Sequence, residues 1–305
     1  MSILSEFSTQ LGGARRLLHT DLSLPNIYPD TGDGKTLFPH MTVLENAAFA
    51  LRIKGVPQDA QRRVAGRMLA AFGLGDYLDR PVSRLSGGER QRVAIVRSLA
   101  GQAPLVLLDE VTTGLDPDLR AELRERLLAI RAQDGIAMLY VSHDLEEAEM
   151  LARSGNGRVL VLREGRQQQC APWEDVYERP ANTFTARYLG PVNLYAGRIT
   201  KQGWFEADGL GALPCPVDNP STSGVYGIRP ERIRIAAEDE RNDNLITGFV
   251  EDQKPDRGAV DVTVRCGDGQ KMMVRAWGPD CRFASEQRVV LWWRAEDAFV
   301  IPEGK

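Results

Sequence analysis

Cysteine and excess positive charge are both scarce in this chain. Only four of the 305 residues are cysteine, and no two of them form a CxxC pair: Cys170, Cys215, Cys266 and Cys281. Such isolated cysteines predict reduced thiols in a cytosolic protein rather than a disulfide framework or a metal site. The formal net charge of −4 disfavours binding to nucleic acid or to an anionic membrane surface.

Long apolar runs are absent as well. No run in the sequence approaches the ~20 residues that a spanning helix needs. The first residues, MSILSEFSTQLGGARRLL, do not have the basic-then-apolar pattern of a signal peptide. We therefore expect a cytoplasmic protein that works at a membrane, if at all, through a partner. A hydrophobic content of 43% is ordinary for folded protein, and the length suggests two domains.

One stretch, Leu85–Asp116, carries the clearest chemistry: LSGGERQRVAIVRSLAGQAPLVLLDEVTTGLD. It opens with Ser86, Gly87 and Gly88 at the start of a predicted helix. Backbone N–H groups at a helix start, together with the helix dipole, can receive a phosphate. Because Ser-Gly-Gly also occurs in ordinary loops, this turn alone is a weak indication.

The second half of the stretch predicts a buried strand that ends in two acids. The apolar run Leu105–Leu108 is followed directly by Asp109 and Glu110. A carboxylate in this place can hold Mg²⁺, and its neighbour can polarise a water. An ordinary strand end would look similar. The order and spacing of the two halves together nevertheless indicate a site for a nucleoside triphosphate.

A histidine follows the next predicted strand. Residues 136–141 form a second apolar run, best interpreted as a buried parallel strand. The helix between the two strands begins with Asp116 as its N-cap and Pro117 as its first residue. A lone histidine is more often structural than catalytic. His143, however, lies at the carboxyl end of a strand, where α/β proteins bind ligands, and we expect it in the site.

The segment GDGKT matches the end of the phosphate-binding pattern GxxxxGK[ST]. In such a loop, Gly32 and Gly34 would let backbone N–H groups curl around phosphates. Lys35 would reach the β and γ oxygens, and Thr36 would bind Mg²⁺. Pro29 stands where the first glycine belongs, and neither a buried strand before the loop nor a helix after it is predicted. A remodelled loop is therefore the alternative to a working phosphate site.

The remaining sequence predicts helices first and strands later. Helices are expected over 42–52 and from Pro57 to a stop at Gly73, and a hairpin with Glu164–Gly165 at its turn. After about Gly190, short alternating stretches predict a small β-barrel. The predicted strands are Leu194–Ile199, Val225–Arg229, Ile233–Ala236, Leu245–Val250, Val260–Val264, Met272–Ala276 and Val289–Trp293.

Together these motifs resemble those of ABC-type ATPases. The correspondences are Ser86-Gly87-Gly88 with the signature motif, Asp109-Glu110 with Walker B, Asp116 with the D-loop, and Ser142-His143 with the switch histidine. LFPHMTV at 37–43 and the linker-like segment 182–193 resemble importer ATPases of the polyamine, ferric-iron, sulfate and phosphonate type. Gly227–Glu231, GIRPE, resembles the GxRPE element of the TOBE domain. The residues that normally separate the phosphate loop from the Q-loop are missing, and the Q-loop glutamine position falls on Asp33.

The resemblance implies a fold and cofactors. The fold is α/β: an ABC-type P-loop NTPase domain, incomplete at its N-terminus, over 1–190, with a helical subdomain over about 37–100. A TOBE-like β-barrel would follow over 191–305. ATP and Mg²⁺ are the implied cofactors.

The resemblance also implies roles and partners. Two subunits would pair head to tail, so that the signature turn of one contacts the γ-phosphate held by the other. Asp109 would hold Mg²⁺ through water, Glu110 would polarise the attacking water, and His143 would contact the γ-phosphate. Asp116 would link the two sites. Transmembrane permease subunits, contacted through 37–80, would be the partners at the inner face of the cell membrane, with a solute-binding protein acting indirectly.

Two other functions are compatible with parts of the sequence. A catalytically impaired relative, which binds partners without effective ATP hydrolysis, is favoured by the altered phosphate loop. Because of the altered loop, we expect the isolated protein to hydrolyse ATP weakly or not at all. A soluble ABC ATPase of DNA repair or translation is disfavoured, because the chain has one nucleotide cassette, no basic tract and no long coiled coil.

Overall fold

The computed structural model describes residues 37–303, apart from 104, 202, 217–222, 237–243 and 279–280. The chain forms two compact units, which divide between Ser154 and Gly155. Within the described ranges, no helix combines the length and apolar character that a membrane crossing requires.

The first unit contains helices packed around a two-stranded parallel sheet. Its helices are α1 (Val43–Ala47), α2 (Phe49–Ile53), α3 (Gln58–Ala71), α4 (Gly87–Ala100), α5 (Pro117–Asp134) and α6 (Leu145–Arg153). Its strands are β1 (Leu105–Asp109) and β2 (Ala137–Val141). Helix α4 is buried on nearly all sides from Val93 to Ala100, which places it at the centre of this unit's core.

Local cap chemistry sets several helix ends. The helix predicted over 42–52 is divided at Ala48 into α1 and α2. Thr42 begins α1 with a capping box, in which its Oγ1 accepts from Glu45 N and Glu45 Oε2 accepts from Thr42 N. Helix α3 stops before Gly73, whose φ of 69° is the left-handed conformation expected of a helix-terminating glycine.

Strands β1 and β2 pair in parallel, as the sequence predicts, and their register places Asp109 beside Val141. The expectation that β2 is buried is wrong. Its residues are half-buried or exposed, and Val141 is 49% exposed. A parallel strand is buried when neighbours cover it on both faces. In the described part of the chain β2 pairs with β1 alone, so no second strand there helps to cover it.

The second unit is dominated by antiparallel strands. It begins with the hairpin β3 (Val159–Arg163) and β4 (Arg166–Ala171), followed by α7 (Trp173–Glu178) and α8 (Thr183–Tyr188). The predicted hairpin is confirmed: Glu164 and Gly165 both have positive φ, as a two-residue type I′ turn requires.

Two five-stranded sheets complete this unit. One has the order β12-β11-β10-β13-β9 and the other β14-β8-β5-β6-β7. The strands are β5 (Asn193–Lys201), β6 (Trp204–Ala207), β7 (Gly211–Pro214), β8 (Ser223–Ile228), β9 (Arg234–Ala236), β10 (Asn244–Asp256), β11 (Ala259–Cys266), β12 (Gln270–Trp277), β13 (Arg288–Trp293) and β14 (Ala298–Pro302). Each predicted strand is present, and the structure adds β6, β7 and β14, which the sequence pattern does not predict.

Side chains of both sheets share one apolar core. At its centre, the indole Nε1 of Trp293 donates to the hydroxyl of Tyr226 at 2.8 Å, which satisfies two buried polar groups. Trp293 is therefore a core residue, while Trp277 is 59% exposed.

The RPE part of the GIRPE segment binds the α7–α8 region to the sheets. The guanidinium of Arg229 is buried and donates to four backbone carbonyls. These carbonyls belong to Tyr177, Ala186, Gly190 and Pro191. Burial lowers the pKa of the Arg229 guanidinium from its ordinary value.

Glu231 adds a second contact, because its Oε1 accepts from the hydroxyl of Tyr177 at 2.6 Å. These contacts agree with the inclusion of α7 and α8 in the compact unit that holds the two sheets. The sequence places the domain limit at 190–191, and that limit stays a prediction.

Candidate nucleotide site

The predicted signature turn is the N-terminus of α4. Ser86 is the N-cap: its Oγ accepts from Glu89 N at 3.3 Å, and Glu89 Oε2 accepts from Ser86 N at 2.7 Å. The backbone N–H of Ser86 is the main reason that the pKa of Glu89 is lowered from 4.5. Ser86 and Gly87 are exposed, so the turn is accessible to a ligand.

The two glycines of this turn have different surroundings. A Cβ at Gly87 would meet nothing within 4 Å, whereas a Cβ at Gly88 would lie 3.2 Å from Leu115 Cδ2. Gly88 therefore lets the start of α4 approach the segment that follows β1. That segment ends at Asp116, which brings the signature turn close to the predicted D-loop residue.

Glu110 and His143 lie side by side at the carboxyl ends of β1 and β2. The Nδ1 atom of His143 is 3.1 Å from Oε1 of Glu110. The imidazole is 70% exposed and the carboxylate 36% exposed. The backbone N–H of Glu110 donates to the carbonyl of Val141 at 2.9 Å, which fixes the separation of the two strand ends. Asp109, the residue before Glu110, is exposed.

The conformation of Glu110 is unusual for a residue with a side chain. Its φ is 47°, in the left-handed region that disfavours residues with a Cβ. A turn follows, in which Thr113 N donates to the carbonyl of Glu110 at 3.1 Å. The hydroxyl of Thr113 also lies 3.4 Å from Glu110 Oε2. The strand thus ends sharply, and the Glu110 side chain is held beside His143.

Asp116 has the predicted cap geometry. Its Oδ1 accepts from Leu119 N at 2.9 Å, and Pro117 is the first residue of α5. Within the same helix, Arg120 donates to the carbonyl of Leu115 at 3.4 Å and to Asp144 Oδ2 at 3.0 Å. Helix α5 thereby connects the segment after β1 with the start of α6.

Of the two residues predicted to bind Mg²⁺, Asp109 lies within the described residues. In the described ranges, no three His, Cys, Asp or Glu side chains come together as a metal site. Asp109 supplies one carboxylate at the end of β1. Mg²⁺ prefers hard oxygen ligands and is commonly bound by one or two carboxylates, several waters and substrate phosphates.

The structure brings most of the predicted site residues together through two connections. One is the Glu110–His143 pair beside Asp109, and the other is the packing of Gly88 on Leu115, next to Asp116. The four residues of the predicted phosphate loop lie outside the described residues: Gly32, Gly34, Lys35 and Thr36.

Sequence reasoning missed Glu147, a fully buried carboxylate in α6 that binds hydroxyl groups on both sides of the site. In the sequence, Glu147 is one of two acids at the start of a helix, where the dipole favours acids. Its neighbour Glu146 is exposed, and only the fold distinguishes the two.

Comparison with known proteins identifies the family of this chain. A family model described as ABC transporter matches residues 28–113, and one described as TOBE domain matches residues 226–301. The spermidine/putrescine import ATP-binding protein PotA of Thermotoga maritima is 31% identical over 287 residues, covering 87% of this chain and 75% of that protein. PotA 1 of Pseudomonas aeruginosa is 34% identical over 277 residues, covering 87% and 73%. The chain belongs to the family of ABC importer ATP-binding subunits with a C-terminal TOBE domain.

PotA of Aliivibrio fischeri, at 31% identity over 268 residues, covers 84% of this importer subunit and 71% of its own length. The ABC transporter match contains the signature turn, Asp109 and Glu110, and the TOBE match contains the GIRPE segment. The predicted family and the predicted combination of an α/β domain with an all-β domain are confirmed.

Proposed function

We propose that this subunit binds and hydrolyses ATP to power the import of a small solute, with polyamines as the first candidates. The observation that carries the proposal is the pair of Glu110 and His143, 3.1 Å apart at adjacent strand ends. Glutamate beside the Mg²⁺-binding position is suited to orienting a water for attack on the γ-phosphate. The names of the relatives support polyamine import, and they also support an active subunit over an impaired one.

On this proposal, each residue of the site has its own role in hydrolysis. The carboxylate of Glu110 accepts from Nδ1 of His143, which keeps the proton on Nδ1 and orients the ring. Once a second proton is bound at Nε2, the ring could also donate from Nε2 to a γ-phosphate oxygen. Glu110 Oε2 would accept a hydrogen bond from the attacking water. Asp109 would hold Mg²⁺, which neutralises charge developing on the phosphates.

The other half of the site would come from a second copy of the chain. Ser86 and the backbone N–H groups of Gly87 and Gly88 would bind the γ-phosphate held by that copy, with Asp116 between the two sites. Gly32, Gly34, Lys35 and Thr36 would form the phosphate loop. Permease subunits would bind the 37–80 region at the inner face of the membrane, and the subunit would be cytoplasmic and peripheral there.

ATP hydrolysis by the full-length protein tests the central step. Glu110→Gln removes the charge of the proposed base without changing its size, and we expect kcat to fall by on the order of 10²-fold or more. Glu164→Gln is a matched control, because Glu164 is also a glutamate with positive φ, in the β3–β4 turn. Equal loss in both variants, or hydrolysis that survives Glu110→Gln, would contradict the assignment.

ATP binding by calorimetry separates an active from an impaired subunit. If the GDGKT segment is a working phosphate loop, the wild type binds ATP and Lys35→Ala weakens that binding. If neither protein binds ATP, the subunit is the impaired relative that the altered loop suggests.

A further inference from the structure

The side chain of Glu147 lies at 0% exposure and accepts hydrogen bonds from three hydroxyl groups. Its Oε2 accepts from Ser142 Oγ at 2.7 Å and from Thr112 Oγ1 at 3.0 Å. Its Oε1 accepts from the hydroxyl of Tyr140 at 2.9 Å. A carboxylate suits this place, because its two oxygens can accept all three hydrogen bonds.

The three hydroxyls belong to the two segments that carry the catalytic pair. Thr112 follows Glu110 by two residues, and Ser142 directly precedes His143. A single buried carboxylate on α6 thus holds the segment after β1 and the end of β2 at a fixed separation. The separation of these segments determines the distance between Glu110 and His143.

Glu147 is itself held from several sides. Its backbone N–H donates to Asp144 Oδ1 at 3.1 Å, and Asp144 also bonds to Arg120 of α5. Ser142 Oγ additionally accepts from Asp144 N at 3.0 Å. Burial, the largest cause, raises the pKa of the Tyr140 phenol, so this hydroxyl keeps its proton and remains a donor.

We propose that Glu147 is a positioning residue for ATP hydrolysis, which fixes the geometry of the Glu110–His143 pair through Thr112 and Ser142. This inference rests on the proposed function. Glu147 is buried and is linked to the pair through the hydroxyls of Thr112 and Ser142, so it would affect the reaction step rather than nucleotide binding.

Two substitutions weaken the network in different ways. Glu147→Gln keeps the size of the side chain but replaces one acceptor oxygen with a donor, and Thr112→Val removes one hydroxyl donor with little change in shape. We expect kcat to fall by on the order of 10²-fold in Glu147→Gln and less in Thr112→Val, with KM for ATP nearly unchanged. Glu146→Gln, on the exposed neighbour, is the control and should keep both constants.

The tautomer of His143 gives a second measurement that requires no ATP. The chain has three histidines, so ¹⁵N NMR signals of His143 can be assigned with a His143→Gln variant. In the wild type, we expect neutral His143 to carry its proton on Nδ1, facing Glu110. Both network variants, like Glu110→Gln, should shift protons toward Nε2, while Glu146→Gln should not.

The two measurements separate the proposals. An unchanged kcat in both network variants overturns the positioning role, and so does an unchanged His143 tautomer. If the wild type does not hydrolyse ATP, the proposed function fails, and the tautomer alone decides whether Glu147 positions His143. If Glu147→Gln does not fold, Thr112→Val still gives both results.

Discussion

At the scale of single residues, Gly227 and Gly66 differ in how much room a side chain would have. A Cβ at Gly227, in β8, would lie 2.1 Å from the ring of Phe299, which is itself buried. A Cβ at Gly66, inside α3, would meet only Leu78 Cδ1 at 4.0 Å. The glycine of the GIRPE segment is therefore needed for the close approach of β8 and β14.

These surroundings predict opposite effects of alanine. Gly227→Ala should lower the free energy of unfolding by about 1–3 kcal/mol, because Phe299 must move. Gly66→Ala should raise it by about 0.5–1 kcal/mol, since alanine is the better helix residue and meets no close atom. Midpoints from scanning calorimetry would measure both changes. Destabilisation by Gly66→Ala, or a neutral Gly227→Ala, would contradict this account of the packing.

Glu110 shows how a local departure from ordinary conformation marks the site. A side chain at φ of 47° is disfavoured, and a residue persists there only when its surroundings fix it. Here the hydrogen bonds from Glu110 N to Val141 and from Thr113 N to Glu110 supply that constraint. The sequence could predict an acid at the end of β1, but not the turn that places it beside His143.

At the scale of elements, the capping box of α4 predicts a response to acid. A carboxylate with a lowered pKa in the folded state adds stability above its unfolded pKa and loses that contribution as pH falls through the folded value. The pKa of Glu89 is lowered from 4.5, chiefly by Ser86 N. Its contribution should therefore be complete above about pH 4.5 and decline in more acidic solution.

Glu89→Gln measures this contribution. The amide can still accept from Ser86 N but carries no charge toward the helix N-terminus. The melting temperature of the variant should lie slightly below that of the wild type above pH 4.5, and the difference should shrink in acid. Glu45→Gln makes the same change in the capping box of α1 and serves as a comparison variant. A gap between the wild type and Glu89→Gln that stays constant with pH would be inconsistent with the Glu89 shift.

Elements set by neighbouring residues could be predicted from the sequence, while those set by distant contacts could not. Local residue preferences explain the helix start at Asp116 and Pro117, the helix stop at Gly73, and the hairpin turn at Glu164 and Gly165. The role of Glu147 depends on Thr112, which is 35 residues away in sequence. The exposure of β2 likewise depends on which neighbours cover its faces, and an apolar run in the sequence does not predict those neighbours.

At the scale of the whole molecule, the contacts of Arg229 bear on where the limit between the two domains lies. The sequence places the limit at 190–191, where helical periodicity ends. Yet three of the four carbonyls that Arg229 binds belong to residues before that limit. In addition, Ala186 of α8 packs against Phe299 and Ile301 of β14. Residues of α7 and α8 therefore contribute to the apolar core of the β-sheets and supply carbonyl acceptors for the buried guanidinium of Arg229.

We predict that a fragment of residues 155–305 folds by itself and is more stable than a fragment of residues 191–305. The shorter fragment leaves a buried guanidinium with most of its acceptors removed and uncovers Phe299, which should cost about 3 kcal/mol or more. Urea unfolding followed by tryptophan fluorescence would compare the two. The control is Arg229→Met in the longer fragment, because methionine has no charged group that must be hydrogen-bonded to those carbonyls. If both fragments are equally stable, α7 and α8 belong to the nucleotide-binding domain, and the limit lies where the sequence places it.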